Sequence, residues 1–548
     1  MMIPSKRLHS AKTNPDLSLK WTMFSWVLVG FGVILRFHQY LKNRALWTDE
    51  VLLAFNLRSL GFHDVLQPLA HNQAAPIGFL LLQKCTLKLF GNSEYALRLM
   101  PLIAGILSIV LIYELAKGIL RPKAVPIAIA LFSLSIPLVY YSSEVKQYST
   151  DVMIALFLLL LACKTLHSKL DLRWLFFLGI AGTLSIYFSH PSIFVLGAVG
   201  STFLLHTVRS NERNKIYNIC ILCGVWLISF FVNYWFFLSK NLKNDYLIEF
   251  WADVNAYMTF PPTSVQDIWG YFLKLFDIME YPGGFALKGL AAFLMFIGVM
   301  VLNKEKKDEC RLLLFPLLFV SIASVLRKYP FADRLILFLV PTILILISEG
   351  LLEVTERSKQ ISPWFGAILI VFFILHPYGF EVKKRENSRP AIEYIRNHWK
   401  EGDKAYIHNG AEAPFRYYYQ PYGFHREDFI IGIYAPEEWV RYKQELNKMV
   451  GSHRVWVLFS LLFESRIQEV NMFLFFLGEM GTKCDEFHAE GFSVYLYDLS
   501  APKPVLSERK TTTNNLPEIP LEKRRRDPFG IPVSFPFVNP EIYVFSKG

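Results

Sequence analysis

Charge is scarce in this chain: only 19% of its 548 residues are Asp, Glu, Lys or Arg, while 53% are hydrophobic and 16% aromatic. Those fractions exclude a disordered chain, a collagen-like fibre and a small disulfide scaffold. Cysteine is scarce too. The six present (Cys85, Cys163, Cys220, Cys223, Cys310, Cys484) form no paired framework. Cys220 and Cys223 have CxxC spacing but lie in an apolar run with no nearby histidine or second pair, so they read as packing residues. No internal repeat is evident, which counts against an inverted-repeat transporter. A cleavable signal is not expected, because residues 1–20 are polar and no small-residue cleavage site follows the apolar stretch near 21–38.

What the chain has instead is long apolar runs, which fill most of the first 380 residues. A run near 20 residues matches a hydrocarbon layer of about 30 Å at 1.5 Å per residue. The chain therefore reads as a polytopic α-helical membrane protein. Candidate spans are 21–38, 96–116, 124–141, 149–163, 174–189, 192–208, 217–238, 285–302, 312–326, 335–352 and 363–380, about eleven in all. The net charge of +11, from 57 Lys and Arg against 46 Asp and Glu, is scattered between these runs. That is how topology signals are distributed, and nucleic acid is not an expected partner.

Residues 76–90 need arbitration: they are apolar but short, and they carry Gln83, Lys84 and Lys88. A lysine mid-bilayer costs about 2.5–3.5 kcal/mol, so two argue against a span. If this segment does not cross, the Lys- and Arg-rich segments 1–20, 117–123, 164–173, 209–216, 304–311 and 353–362 all face the cytoplasm, as the positive-inside rule requires. Residues 76–90 are then an interfacial helix on the outer surface. The expected topology has the N-terminus cytoplasmic and the C-terminal region extracytoplasmic. Strand-like runs at 404–409, 454–460 and 493–499 alternate with helix-like stretches at 389–399, 435–450 and 462–480. Residues 381–500 thus read as a small α/β domain with a mainly parallel sheet, after a transmembrane domain over 1–380. Residues 501–548, rich in Pro, Lys, Arg, Thr and Asn, read as a flexible tail.

Polar residues at the outward ends of the spans are the candidates for chemistry. Asp49 and Glu50 directly follow the first span, and adjacent carboxylates at a membrane face suit a general base or a cation site. The alternative is a helix cap, with Thr48 or Asp49 opening a helix near Val51. The same loop carries His71 and Gln73. The second outer loop holds Glu144, Lys146 and Tyr148, with Asp151 one turn further, and either carboxylate could simply pair with Lys146. His190 marks the next outward turn. Arg327, Lys328 and Arg334 place three cations on the last short outer loop, where positive charge brings no topological benefit, and such donors suit a phosphate. A hydroxyl deprotonated by Asp49, with a lipid phosphate leaving under stabilisation from Arg or Lys, would be an inverting sugar transfer.

At these residues the sequence resembles the membrane glycosyltransferases of type C fold, in particular the glycosyltransferase family 39-like group of protein mannosyltransferases and lipid A aminoarabinose transferase. The resemblance runs through LWTDE (46–50), QAAPIGFLLLQK (73–84), FGNSEYALRLMP (90–101), YYSSEVKQYS (140–149) and RKYPFADRLILFLVP (327–341). It implies Asp49 as the catalytic carboxylate with Glu50 beside it, and a polyprenyl-phosphate-linked sugar donor used on the outer face. It also implies a lipid, glycan or protein acceptor and residence among the lipids of a membrane, a bacterial inner membrane being expected. Relatives often have Lys-Pro-Pro-Leu where this chain has Gln73-Ala74-Ala75-Pro76, and Arg-containing sequences where it has Ser143 and Lys146-Gln147-Tyr148. The first loop has no DxD, so a divalent metal is not indicated. The rival classes are a transporter or flippase of lipid-linked glycans, a glycan polymerase or ligase, and a scaffold whose α/β domain binds a partner.

Overall fold

The structure, a computed structural model, describes residues 15–239, 245–258, 261–262, 264–357, 386–435, 438–460 and 464–500. The expected span 363–380 and the expected tail 501–548 lie outside them. In chain order the first ten helices are α1 (Pro15–Leu41), α2 (Thr48–Ser59), α3 (Ile77–Phe90), α4 (Glu94–Ile119), α5 (Ala124–Leu134), α6 (Ile136–Tyr141), α7 (Tyr148–His167), α8 (Leu172–Phe188), α9 (Ser192–Arg209) and α10 (Ile216–Asn233). Then come α11 (Asp245–Asp253), α12 (Val265–Glu280), α13 (Lys288–Glu305), α14 (Lys307–Val325), a 3-10 segment Asp333–Leu339 and α15 (Val340–Arg357). Each expected span within the described residues coincides with helix. Among the described residues, six helical stretches are long and apolar enough to cross a bilayer by length and composition: Leu19–Leu41, Glu94–Ile119, Tyr148–His167, Ser192–Arg209, Ile216–Leu238 and Asp333–Arg357. The protein is integral to a membrane.

Burial ranks these helices. The apolar window of Asp333–Arg357 is 94% buried and forms the middle of the bundle, whereas that of Leu19–Leu41 is 22% buried and lies at its edge. In the bundle α4 packs along α7, α1 against α5 and α4, α9 against α14, and α13 along α15. The last pair approaches closely because Gly298 and Gly350 face each other, and a Cβ on either would strike the opposing backbone. Phe176, Ile228, Trp235 and Phe296 are large apolar side chains exposed on the bundle surface and suit contact with lipid tails.

Two stretches depart from simple spans. The expected span 124–141 is two helices bent at Ser135, because Pro137 has no N–H to give and its ring crowds the carbonyl four residues earlier. Arg36 of α1, fully buried, donates to the Gly32 carbonyl at 3.0 Å and reaches the Ser133 and Phe132 carbonyls at 3.5 Å. It thereby covers groups that the bend leaves without helical partners. The other stretch is α3, whose 14 residues reach only about 21 Å, too short to cross. Its Lys84 donates to the Leu57 carbonyl at 2.9 Å and to that of Leu60, capping the C-terminal end of α2.

The C-terminal unit holds α16 (Ser388–Asn397), β1 (Lys404–Ile407), α17 (Glu412–Tyr418), β2 (Phe429–Ile431), α18 (Trp439–Asn447), β3 (Val455–Ser460), α19 (Glu464–Met480), β4 (Thr482–Ala489) and β5 (Phe492–Asp498). The sheet order is β2-β1-β3-β5-β4. β1 is parallel to β2 and β3, but β5 is antiparallel to both β3 and β4, so the sheet is mixed and not mainly parallel as expected. The reason is the tight Glu490–Gly491 turn, which returns the chain as a hairpin where a helix would have carried it back parallel. One face of the sheet shares an apolar core with the helices that follow α1. Trp456, Leu458, Phe492, Ile392 and Phe415 pack in the same cluster as Val51, Leu57, Phe79 and Val145. The α/β unit and the helices α2 and α3 are therefore joined by a continuous interior.

Candidate active site

The site begins where the chain leaves α1. α2 starts at Thr48, three residues earlier than the sequence reading placed it, so Thr48 and Asp49 lie in its first turn and neither caps it. The cap function falls to two carboxylates, one in the same turn and one distant in the chain. Glu50 accepts from the Trp47 N–H at 3.4 Å, and Glu386 accepts from the Thr48 N–H at 3.3 Å and its hydroxyl at 2.6 Å.

Successive helical residues point about 100° apart, so Asp49 and Glu50 cannot face one site together. Glu50 turns inward and is fully buried. It pairs with Arg98 at 3.0 Å and Arg44 at 3.2 Å, and accepts from the Val145 N–H at 2.8 Å. Burial pushes its carboxyl up, but the two guanidiniums and the Val145 N–H outweigh it and hold the group below its ordinary value.

Asp49 turns the other way, towards three side chains from separate loops. Oδ1 accepts from Lys146 Nζ at 2.9 Å and Gln73 Nε2 at 3.2 Å, and Oδ2 pairs with Arg334 Nη2 at 2.9 Å. Gln73 Oε1 accepts a second bond from Lys146 at 2.6 Å, closing a ring of three. Arg334 lies over Trp47 at 5.2 Å and over Tyr148 at 5.5 Å from the ring centroids, a cation held between aromatic faces. Burial again works against the charged form, yet Lys146, Arg334 and Gln73 together hold the Asp49 carboxyl well below the usual carboxylate range. Lys146 thus pairs with Asp49, not with Glu144 or Asp151 as the local alternatives had it.

The other expected residues fall differently. His71 and Asn72 turn the chain with φ of 61° and 53°, and His71 meets the cluster through its backbone carbonyl, which Gln73 Nε2 reaches at 3.4 Å. The His71 ring lies 6.3 Å from that of Phe55, and burial lowers its imidazole. Glu144 is fully buried with Arg44 Nη2 at 3.8 Å. His190 has both ring nitrogens buried without a hydrogen-bond partner among the described residues, and burial pushes its imidazole down to about 4. No hydrogen bond joins it to the Asp49 cluster. Arg327 and Lys328 are exposed, so of the three outer cations only Arg334 is brought to Asp49.

Four residues outside the expected set shape the site: Arg44, Arg98, Tyr418 and Glu386. Arg98 stood in a quoted motif, as a lone cation in an apolar run. Glu386 is 338 residues from Thr48 and had no local signal.

With this geometry in view, known proteins supply a frame. The profile of the dolichyl-phosphate-mannose-protein mannosyltransferase family matches residues 74–235, a stretch that includes Lys146 but not Asp49, Gln73 or Arg334. No curated protein sequence matches the chain. The crystal structure of ArnT from Cupriavidus metallidurans bound to undecaprenyl phosphate superposes with a TM-score of 0.51 at 13% identity, covering 88% of this chain and 99% of that one. The apo form of the same protein gives 0.50 at 12%, with the same coverages. The protein therefore has the type C fold of membrane glycosyltransferases. Within that class its fold is similar to that of ArnT over nearly the whole ArnT chain.

The buried Glu50 generates a test of stability. Glu50→Gln leaves the buried Arg98 without its charge partner and Arg44 with Glu144 alone, a loss of about 3–5 kcal/mol for a broken buried pair. The expected result is a lower melting temperature of the detergent-solubilised protein. Because the Glu50 pKa is depressed by folding, its contribution is present above about 4.5 and is lost as pH falls. The deficit of Glu50→Gln against wild type should therefore shrink on acidification. An equal melting temperature at neutral pH would contradict the pairing.

Proposed function

We propose that this protein is a membrane glycosyltransferase that moves a sugar from a polyprenyl-phosphate-linked donor to an acceptor on the outer face, with Asp49 as general base. The observation that carries the reading is the Asp49 carboxylate held by Lys146 and Arg334, one cation on each oxygen. The type C fold and the mannosyltransferase profile over 74–235 support it. In the reaction the acceptor hydroxyl oxygen attacks the anomeric carbon from the face opposite the phosphate, and its proton passes to Asp49. The bond from the anomeric carbon to the phosphate oxygen breaks with its electron pair staying on that oxygen. Polyprenyl phosphate leaves, its charge balanced by Lys146 and Arg334.

A carboxylate with a depressed pKa is a weak base, and the same cations resolve this. A donor phosphate draws Lys146 and Arg334 towards itself, which releases Asp49 and raises its basicity as the acceptor arrives. Glu50, with its hydrogen bonds spent on Arg98, Arg44 and Val145, serves as a positioning residue. Asp49→Asn keeps the shape and removes the base. Purified protein given a panel of tritiated polyprenyl-phosphate sugars, mannose first, should lose about 10²–10⁴ of its transfer rate on this change. Near-normal turnover would remove Asp49 from the mechanism.

Lys146→Met provides a pH test. Losing a charge-assisted contact of about 1.5–3 kcal/mol should lower kcat/KM by one to two decades. Removing the cation also lets the free-enzyme pKa of Asp49 rise, so the acid limb of kcat/KM moves to higher pH than in wild type. An unmoved acid limb would count against a base held ionised by Lys146.

We place the site on the extracytoplasmic side. At the far end of the bundle, Arg121 pairs with Glu353 at 3.0 Å, Lys306 caps the Gly118 and Ile119 carbonyls, and Lys215 caps that of Lys169. This basic girdle suits a cytoplasmic face, and the Asp49 end with its α/β unit then faces outward, as across a bacterial inner membrane. In a variant without native cysteines, Lys88→Cys and Gln420→Cys should react with an impermeant maleimide on intact cells and Lys304→Cys should not. The reverse pattern would invert the topology.

A further inference from the structure

The seven residues between α1 and Asp49 make few backbone hydrogen bonds among themselves, yet side chains, most of them distant in the sequence, hold their backbone at nearly every step. Arg389 Nη1 donates to the Asn43 carbonyl at 2.7 Å, and Arg98 donates to the Arg44 carbonyl at 2.6 Å and the Ala45 carbonyl at 3.4 Å. The Leu46 N–H donates to the Tyr418 hydroxyl at 2.8 Å, the Trp47 N–H to Glu50 at 3.4 Å and the Thr48 N–H to Glu386 at 3.3 Å. Three of these partners, Glu386, Arg389 and Tyr418, come from the C-terminal unit. Arg389 and Tyr418 are themselves tied to Glu94 at the start of α4.

Glu386 is the partner nearest to Asp49 in the chain of contacts, and it is 3% exposed. One oxygen receives both Thr48 bonds and the other accepts from the Ser460 hydroxyl at the end of β3. Its backbone is fixed by the β4–β5 turn. The Asn387 N–H donates to the Glu490 carbonyl at 2.9 Å, and a Cβ built on Gly491, whose φ is 76°, would stand 3.0 Å from the Glu386 Cα. A buried anion at the first N–H of α2 also complements the positive end of that helix.

We infer that the α/β unit is a working part of the catalytic centre, with Glu386 the positioning residue that sets Asp49 through Thr48. The inference rests on the proposed transfer, with Asp49 as its base. A base displaced by about 1 Å can cost 10²-fold in rate without changing how donor binds. Glu386→Ala should therefore lower kcat about ten- to hundred-fold and leave KM for the donor within two-fold. Thr48→Val, which cuts the same hydroxyl bond from the α2 side and leaves the sheet untouched, should lower kcat in the same way, and Thr48→Ser should restore it. Combined, the two losses should be less than additive, since both break one contact.

Hydrogen exchange of the full-length protein gives a readout that does not depend on knowing the sugar. Amides in the peptide covering 43–50 should exchange faster in Glu386→Ala, while those of β1, β3 and β5 keep wild-type protection. Unchanged exchange at 43–50, or faster exchange there with wild-type kcat, would overturn the positioning role. A wild-type protein that transfers no sugar would instead sink the proposed function, whatever the exchange pattern.

Discussion

The arrangement turns on the buried pair between Glu50 and Arg98. Neither group has access to water, so each is tolerable only because the other is there. The pair ties the first turn of α2 to α4, and Arg98 also donates from Nη1 and Nη2 to the carbonyls of Arg44 and Ala45. Once the phase of α2 is set in this way, the residue before Glu50 has only one direction left. Asp49 must face away from the buried pair, towards Gln73, Lys146 and Arg334. Two neighbouring carboxylates thus receive opposite roles from a single geometric fact, the 100° step of the helix.

The second constraint is electrostatic. Lys146 and Arg334 come from loops that follow different spans, yet both end on the same carboxylate with no other anion among their ion pairs in the described residues. Cations gathered at a partly buried point need an anion there at all times, or their desolvation goes uncompensated. In the free protein Asp49 meets that need. A donor phosphate can replace it only if the carboxylate is then given another task, and taking a proton from an acceptor is the task a freed carboxylate can do. Under the proposed mechanism, one pair of cations both stores the base in its ionised form and selects an anionic donor.

Much of this could be read in the sequence because membrane proteins obey few rules strictly. Apolar runs located the long apolar helices through residue 357, and the collection of polar residues at outward span ends brought Asp49, Gln73, Lys146 and Arg334 together, though Asp49 and Arg334 are 285 positions apart. The split between Asp49 and Glu50 was not legible, since it depends on whether α2 starts at residue 48 or 51, and helix starts are poorly specified when the cap comes from another part of the chain. β4 was missed for a related reason: its sequence TKCDEFHA is charged and largely exposed, an edge strand without an apolar face to betray it. Glu386 lay beyond any local pattern. Its significance is created entirely by a contact between the two ends of the fold.

That contact answers a structural problem that the bilayer poses. Residues 44–47 leave a span at the membrane face, where their N–H groups find no helical hydrogen bonds and their apolar side chains are too few for a core of their own. Left to themselves they would sample many conformations, and Asp49 would move with them. A side-chain network from α4 alone covers the carbonyls of Arg44 and Ala45, but the N–H groups of Leu46 and Thr48 point the other way. Acceptors for those must come from above the membrane, and the α/β unit supplies them in Tyr418 and Glu386 while burying the apolar face of α2 against its sheet. The unit is thus not an appendage to the transmembrane bundle but the second wall of the mould in which the loop before Asp49 is cast.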